Sequence, residues 1–230
     1  MLVAGGPGRS LDPVPASAPD PRPVPPRPLL EDEVDADPFA QFRAWFDDAV
    51  AHGVAQPEAM TVASADTEGR PSARMVLLRG LDDRGFTFFT NYGSRKAGEL
   101  GANPHAAIVF HWPVVLRQVR ATGAVERVSD EEYDEYWSTR PRGSQIGAWA
   151  SAQSAVVADR SVLEAAVADC EARFSEPDGG DGPVPRPDDW GGYRVLPEVI
   201  EFWQHRDDRL HDRLRYTRDG DTWVLARLQP

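Results

Sequence analysis

Among the 25 basic residues of this chain there is a single lysine, Lys96, and in the whole sequence a single cysteine. With Cys170 alone no internal disulfide can form, and no partner stands at a metal-ligand spacing from it. It reads as a small hydrophobe on a helix. No run of about 18 apolar residues is present to span a bilayer, and the start of the sequence lacks the basic-then-apolar order of a secretory signal, so a cytoplasmic protein is expected. Positive charge is scarce as well: 37 acidic residues outweigh the basic ones, leaving a net charge of −12 and an isoelectric point near 4.8. Such a field repels nucleic acid and anionic membranes, so any bound anion must be held by a local cluster. The common catalytic signatures are also missing. GxGxxG after a strand, GxxxxGK[ST], HExxH and GxSxG do not occur, which excludes the routine dinucleotide, P-loop, zinc-protease and hydrolase readings. Five scattered histidines form no metal-binding pair.

What is present begins with proline. Residues 1–28 hold nine of the 21 prolines and are followed by an acidic run, so residues 1–36 are expected to form a disordered tail that cannot bury enough surface to offset its ordering entropy. One domain is expected over 37–230. Asp37 and Pro38 read as an N-cap and first helical residue. Phe39, Phe42, Trp45, Phe46 and Val50 then recur at helical spacing, predicting an amphipathic helix with its aromatics in the core.

From Met60 the period changes. Strands are predicted at 60–64, 72–79, 86–90, 106–111, 115–125, 193–196, 199–204, 210–216 and 222–228, with short helices at 94–103 and 131–138 and a longer one at 160–174. Hairpin signals such as Asp66-Thr67-Glu68-Gly69 and Asp219-Gly220 make the sheet antiparallel. The fold class expected is α+β: a closed or nearly closed antiparallel β-barrel with helices packed outside.

Four polar segments could carry chemistry. In Arg74-Met75-Val76-Leu77-Leu78-Arg79 the two arginines have opposite parity, so they are expected to face different sides or different ligands. Thr90-Asn91-Tyr92-Gly93-Ser94-Arg95-Lys96 leads a strand through a glycine turn into a helix whose free N–H groups and two cations suit a phosphate. The stretch from Tyr136 to Ser154, YWSTRPRGSQIGAWASAQS, is dense in hydroxyl and guanidinium donors, with Gln118 on a strand before it. Last, Arg209, His211 and Arg213 fall at period two, and a strand running through them would place all three on one face. A histidine between two arginines has its neutral form favoured.

Together with RQV, WGGYR, EFWQ and the closing RLQP, these segments resemble, in order and spacing, the pyridoxamine 5′-phosphate oxidase family over about residues 37–230. The resemblance implies a homodimeric split β-barrel with FMN at the subunit interface. It implies FMN contacts from Arg74, Met75, Val76, Leu77, Leu78, Arg79, Phe89, Thr90, Arg95, Lys96, Gln118, Gln153, Ser154, Trp203 and Arg213. Substrate phosphate falls to Arg79, Tyr136, Arg140 and Ser144, with Arg209 and His211 over the substrate as the catalytic pair. The activity implied is oxidation of pyridoxamine or pyridoxine 5′-phosphate by O2 to pyridoxal 5′-phosphate, releasing H2O2, and NH3 from the amine. The protein's share is orientation and charge placement.

Two departures stand out. Arg79 replaces the family's usual lysine, which keeps the charge and changes its geometry. Before the first helix, Pro28-Leu29-Leu30-Glu31-Asp32 lacks the arginine and tyrosine that many members carry in a segment closing over the site. Two other readings are a split-barrel flavin oxidase for another substrate, of phenazine type, and a non-catalytic FMN- or pyridoxal-phosphate-binding protein. Retention of Tyr136, Arg140 and Ser144 argues against the first, and retention of Arg209 and His211 against the second.

Overall fold

The computed structural model describes residues 27–230. Helix α1 (Pro38–Ala51) starts where Asp37 accepts the N–H groups of Phe39 and Ala40, with Pro38 at a position that has no intrahelical bond to lose. Its Phe39, Phe42 and Trp45 are buried against Phe86, Phe110, Trp112 and Phe202 of the sheet. Thus α1 closes the main core.

The described residues form nine strands: β1 (Ala59–Ala65), β2 (Pro71–Leu77), β3 (Gly80–Leu81), β4 (Phe86–Asn91), β5 (His105–Trp112), β6 (Arg117–Arg127), β7 (Trp190–Gln204), β8 (Asp212–Asp219) and β9 (Thr222–Arg227). They pair antiparallel in the order β2-β1-β5-β6-β7-β4-β3, with β8 and β9 continuing from the far half of β7. The two ends of that order, β2 and β3, are separated in sequence only by Leu78 and Arg79. Three residue steps reach about 10 Å, so the sheet has to curl until its edges nearly meet. The expected antiparallel barrel with external helices is what forms, and Arg79 sits on its seam.

The remaining helices are α2 (Arg95–Ala102), α3 (Asp130–Thr139), α4 (Arg142–Ala150) and α5 (Arg160–Arg173). Ser129 and Glu132 form a reciprocal capping box at the start of α3. A second core of Tyr133, Trp137, Ile146, Phe174 and Trp190 joins α3, α4 and the chain after α5 to β7. Arg194, almost fully buried, bonds to Glu126 and Glu132 and fixes α3 against the sheet.

The structure corrects the sequence reading at three places. Strands predicted at 193–196 and 199–204 are one strand, β7, bent opposite a register shift between Thr122 and Gly123. Pro197 sits at that irregularity, where no ladder N–H is needed. Residues 27–36 are largely exposed but tethered to the sheet at a few points rather than free, while the tail expected over 1–26 lies outside the described residues. Leu29 is buried, its N–H donates to Asp212, and Arg227 bonds both Glu31 and the Leu29 carbonyl. That arginine holds the Glu31 carboxyl down at about 2. The acidic run is therefore a strap over β8 and β9, with the Tyr216 hydroxyl donating to the Asp35 carbonyl. Third, the strand expected over 210–216 begins only at Asp212; a 3₁₀ turn at Asp207–Arg209 precedes it.

In β7, Gly191 is required by close approach. A Cβ there would come within 2.3 Å of the Tyr92 hydroxyl oxygen and 2.4 Å of the adjoining ring carbon. Gly191→Ala is expected to destabilise the protein by about 1–3 kcal/mol through overpacking, read as a lower urea midpoint. An unchanged midpoint would show that the Tyr92 ring moves aside freely.

Candidate active site

At the seam lies a cavity of about 550 Å³. It gathers thirteen of the residues expected in the site: Arg74, Met75, Val76, Leu77, Arg79, Phe89, Thr90, Arg95, Lys96, Tyr136, Arg140, Gln153 and Ser154. Their sources are β2 and the seam, the end of β4, the first turn of α2, the end of α3 and the loop after α4. Ser72 and Ala73 also line it and were not foreseen. Leu78 packs toward the main core instead.

The cations form two clusters. In the first, Lys96 is buried and donates to Thr90 Oγ1 (2.9 Å) and Gln153 Oε1 (2.8 Å), with Ser94 Oγ at 3.4 Å. All three partners are neutral. Burial, with the Arg74 cation adding to it, lowers the ammonium to about 8. Nearby, Glu99 is buried and accepts from Ser64 (2.6 Å), Ser72 (2.5 Å), Arg74 (3.2 Å) and Arg95 Nε (2.8 Å). Although burial works upward, these donors hold its carboxyl at about 2.

The second cluster is Arg79, Tyr136 and Arg140. Among the described residues neither Arg79 nor Arg140 has a carboxylate partner within ion-pair distance. Arg140 lies 4.3 Å over the Trp190 ring, donates to the Ser144 carbonyl at 2.8 Å, and keeps a buried Nε with no partner. Burial first, and then the Arg79 cation, lower it from arginine's ordinary value, against the Tyr136 hydroxyl. Ser144 itself is exposed on the first turn of α4 and does not line the cavity. Tyr136 stacks on Phe89 at 4.0 Å. The two arginines of β2 and the seam thus enter different clusters of the same cavity.

Gln118, Trp203, Arg209, His211 and Arg213 are not among the residues lining it. Gln118, Trp203 and Arg213 lie side by side across β6, β7 and β8, with His211 4.6 Å from Trp203. The shared face expected for Arg209, His211 and Arg213 does not form, because the strand has not begun at Arg209. Instead Asp208 and Arg209 both take left-handed backbone (φ 54° and 62°), and Arg209 and Leu210 are exposed. His211 Nδ1 accepts the Arg206 N–H at 3.1 Å, so the neutral ring carries its proton on Nε2. Burial chiefly, then His205 and Arg209, lower its pKa. Arg213 is paired with Glu201.

A buried lysine held by neutral partners, a half-buried Arg140 and an exposed Arg79 without carboxylate partners among the described residues, and a mixed aromatic wall fit a ligand carrying phosphate and a flat ring. The curled antiparallel sheet is a split barrel with a cationic cavity at its seam. Residues 46–174 match the family model described as pyridoxamine 5′-phosphate oxidase, and residues 190–230 match the pyridoxine 5′-phosphate oxidase C-terminal dimerisation region. The chain belongs to the pyridoxamine 5′-phosphate oxidase family and is an oxidase. It is 58% identical over 199 residues to pyridoxine/pyridoxamine 5′-phosphate oxidase 1 of Ralstonia nicotianae, covering 86% of this chain and 91% of that protein. The enzyme of Rubrobacter xylanophilus is 54% identical, with 88% and 91% covered. Among solved structures, PhzG from Burkholderia lata, in complex with tetrahydrophenazine-1-carboxylic acid, superposes with a TM-score of 0.81 at 33% identity, covering 89% of this chain and 99% of that one. Among the described residues no helix is long and apolar enough to cross a membrane.

Proposed function

We propose that this oxidase converts pyridoxamine 5′-phosphate or pyridoxine 5′-phosphate to pyridoxal 5′-phosphate, with FMN as cofactor and O2 as acceptor, releasing H2O2, and NH3 from the amine. The observation that carries the reading is the presence of two cationic clusters on one cavity, one for each of two phosphates. Arg74, Arg95 and Lys96 hold the FMN phosphate, with Thr90, Gln153 and Ser154 beside it. Arg79, Tyr136 and Arg140 hold the substrate phosphate, and Ser144 supports Arg140 through its carbonyl. FMN, when bound, supplies the acceptor for a hydride equivalent from the substrate's C4′ and passes the electrons to O2. Phe89 and Tyr136 limit where a flat ring can lie, and the barrel seam keeps water from one side of it.

The chain acts as a homodimer in this reading. Gln118, Trp203, Arg209, His211 and Arg213 serve the cavity of a second copy, where Arg209 orients the substrate and the Nε2–H of His211 donates a hydrogen bond. Two features support this. These five residues do not line their own chain's cavity, and the left-handed turn at Asp208 and Arg209 presents Arg209 outward. The similarity to PhzG keeps a phenazine-type substrate in view, but such a ligand has no phosphate to pair with Arg79 and Arg140.

The test is direct. Purified protein is expected to carry, or take up, FMN and to oxidise either vitamer phosphate with stoichiometric peroxide. A flavoprotein that turns over neither vitamer would favour the phenazine-type reading, and a protein that cannot be reconstituted with FMN would end the flavin assignment.

Lys96 adds a pH dependence. A phosphate beside it favours the ammonium, so its pKa, about 8 in the free protein, rises on binding, and binding takes up a proton above that pH. FMN affinity is therefore expected to fall by up to about tenfold per pH unit above pH 8. Calorimetric titrations in two buffers of different ionisation enthalpy would register the proton uptake. Equal affinity from pH 7 to 9.5 would contradict it.

A further inference from the structure

The geometry points to Glu99 as a positioning residue that aims Arg74 and Arg95 at the phosphate of the cofactor; this rests on the reading of the cavity given above. Glu99 is an acid placed, against intuition, directly behind the cations of an anion site without lining the cavity itself. Its carboxylate is buried on α2 and reaches two strands: Ser64 of β1 and Ser72 of β2 donate to Oε2, and Arg74 donates to the same oxygen. Its other oxygen takes Arg95 Nε at 2.8 Å. That single bond matters for how Arg95 is presented. With Nε occupied, the two terminal nitrogens of the fork remain free, and the side chain, otherwise exposed at 66%, is held over the cavity it lines. A mobile exposed arginine would lose rotamer freedom on gripping a ligand; one already tethered loses less.

Arg74 is fixed more tightly, bonding Ser64 and Ser72 as well as Glu99. The network thus joins β1, β2 and α2 at the point where the cavity needs a rigid wall. It also sets the charge. Arg74, Arg95 and Lys96 carry three positive charges, and Glu99 removes one, which leaves two. Two is the charge that a phosphomonoester dianion neutralises. A bare cluster of three cations would instead repel itself in the ligand-free protein.

Two effects of Glu99 on phosphate binding oppose each other: its negative charge repels the ligand, while its hydrogen bonds hold the arginines in place. Positioning predicts that the second wins. In full-length protein stripped of cofactor, Glu99→Gln is expected to weaken FMN binding by about tenfold or more. Riboflavin, which has the same ring and no phosphate, should bind within about twofold of wild type. Both are read by flavin fluorescence titration. The same substitution in an Arg95→Ala background should cost FMN affinity much less, because the group being aimed is gone.

FMN binding that is unchanged or tighter in Glu99→Gln would overturn the proposal, since repulsion would then be the larger effect. Equal losses for FMN and riboflavin would overturn it as well, by making Glu99 a general support of the fold. If wild-type protein shows no preference for FMN over riboflavin, it is the phosphate reading of the cavity that fails. Should Glu99→Gln not fold, Ser72→Ala, which removes one donor to the carboxylate and keeps the charge, is read in the same two titrations. A selective loss for FMN supports positioning, and no loss counts against it.

Discussion

Two inactive variants of this oxidase are expected to restore activity to one another. Lys96→Ala removes a cation from the cavity, and the pair Arg209→Ala, His211→Ala removes the groups that the cavity of a single chain lacks. Each homodimer then carries a lesion in both of its sites. In a mixed dimer one site combines the two intact halves and the other collects both lesions. Random mixing makes about half of the dimers mixed, so about a quarter of wild-type activity should return. Co-expression with two affinity tags isolates the mixed species, in which half of the sites should work. If Arg209 and His211 served their own chain's cavity, the mixed dimer would be as inactive as its parents.

Replacing Arg140 with alanine should separate the two phosphates. The guanidinium stands over Trp190 beside Tyr136 and Arg79, away from the Lys96 and Glu99 network. Loss of one charge-assisted contact of about 1.5–3 kcal/mol raises KM for the vitamer phosphate by about ten- to a hundredfold. FMN affinity should stay within about twofold. Comparable losses in KM and in FMN retention would mean that the two phosphates have been assigned to the wrong clusters.

Much of this is legible in the sequence alone. Strand periodicity and turn residues placed the hairpins, and the 37–38 pair marked the start of α1, because these signals depend on neighbours in sequence. The bend in β7 was not legible: Pro197 broke the pattern into two strands, and only pairing with β6 shows that one strand continues through it. The strap at 27–36 was misread for a related reason. Glu31 reads as solvated acid until Arg227, 196 residues away, is brought beside it. Within the site, residue types marked the polar segments and the family resemblance picked out their cations, but period two failed at Arg209, where a turn with left-handed backbone replaces the strand. Glu99 escaped notice altogether. Its i,i+4 spacing from Arg95 on α2 was available as a signal, whereas the hydroxyls of Ser64 and Ser72 that complete its shell come from two strands.

The seam has one more consequence, for the chain before it is assembled. At one end of the pairing order β3 is only two residues long and offers little for another strand to copy. At the other end β2 has seven residues, is paired only with β1 and carries an exposed Met75 beside Val76 and Leu77. An open edge of that length is a template for self-association. Because β2 also supplies Arg74 to the cavity, the edge that must be kept from pairing with other chains borders the site itself.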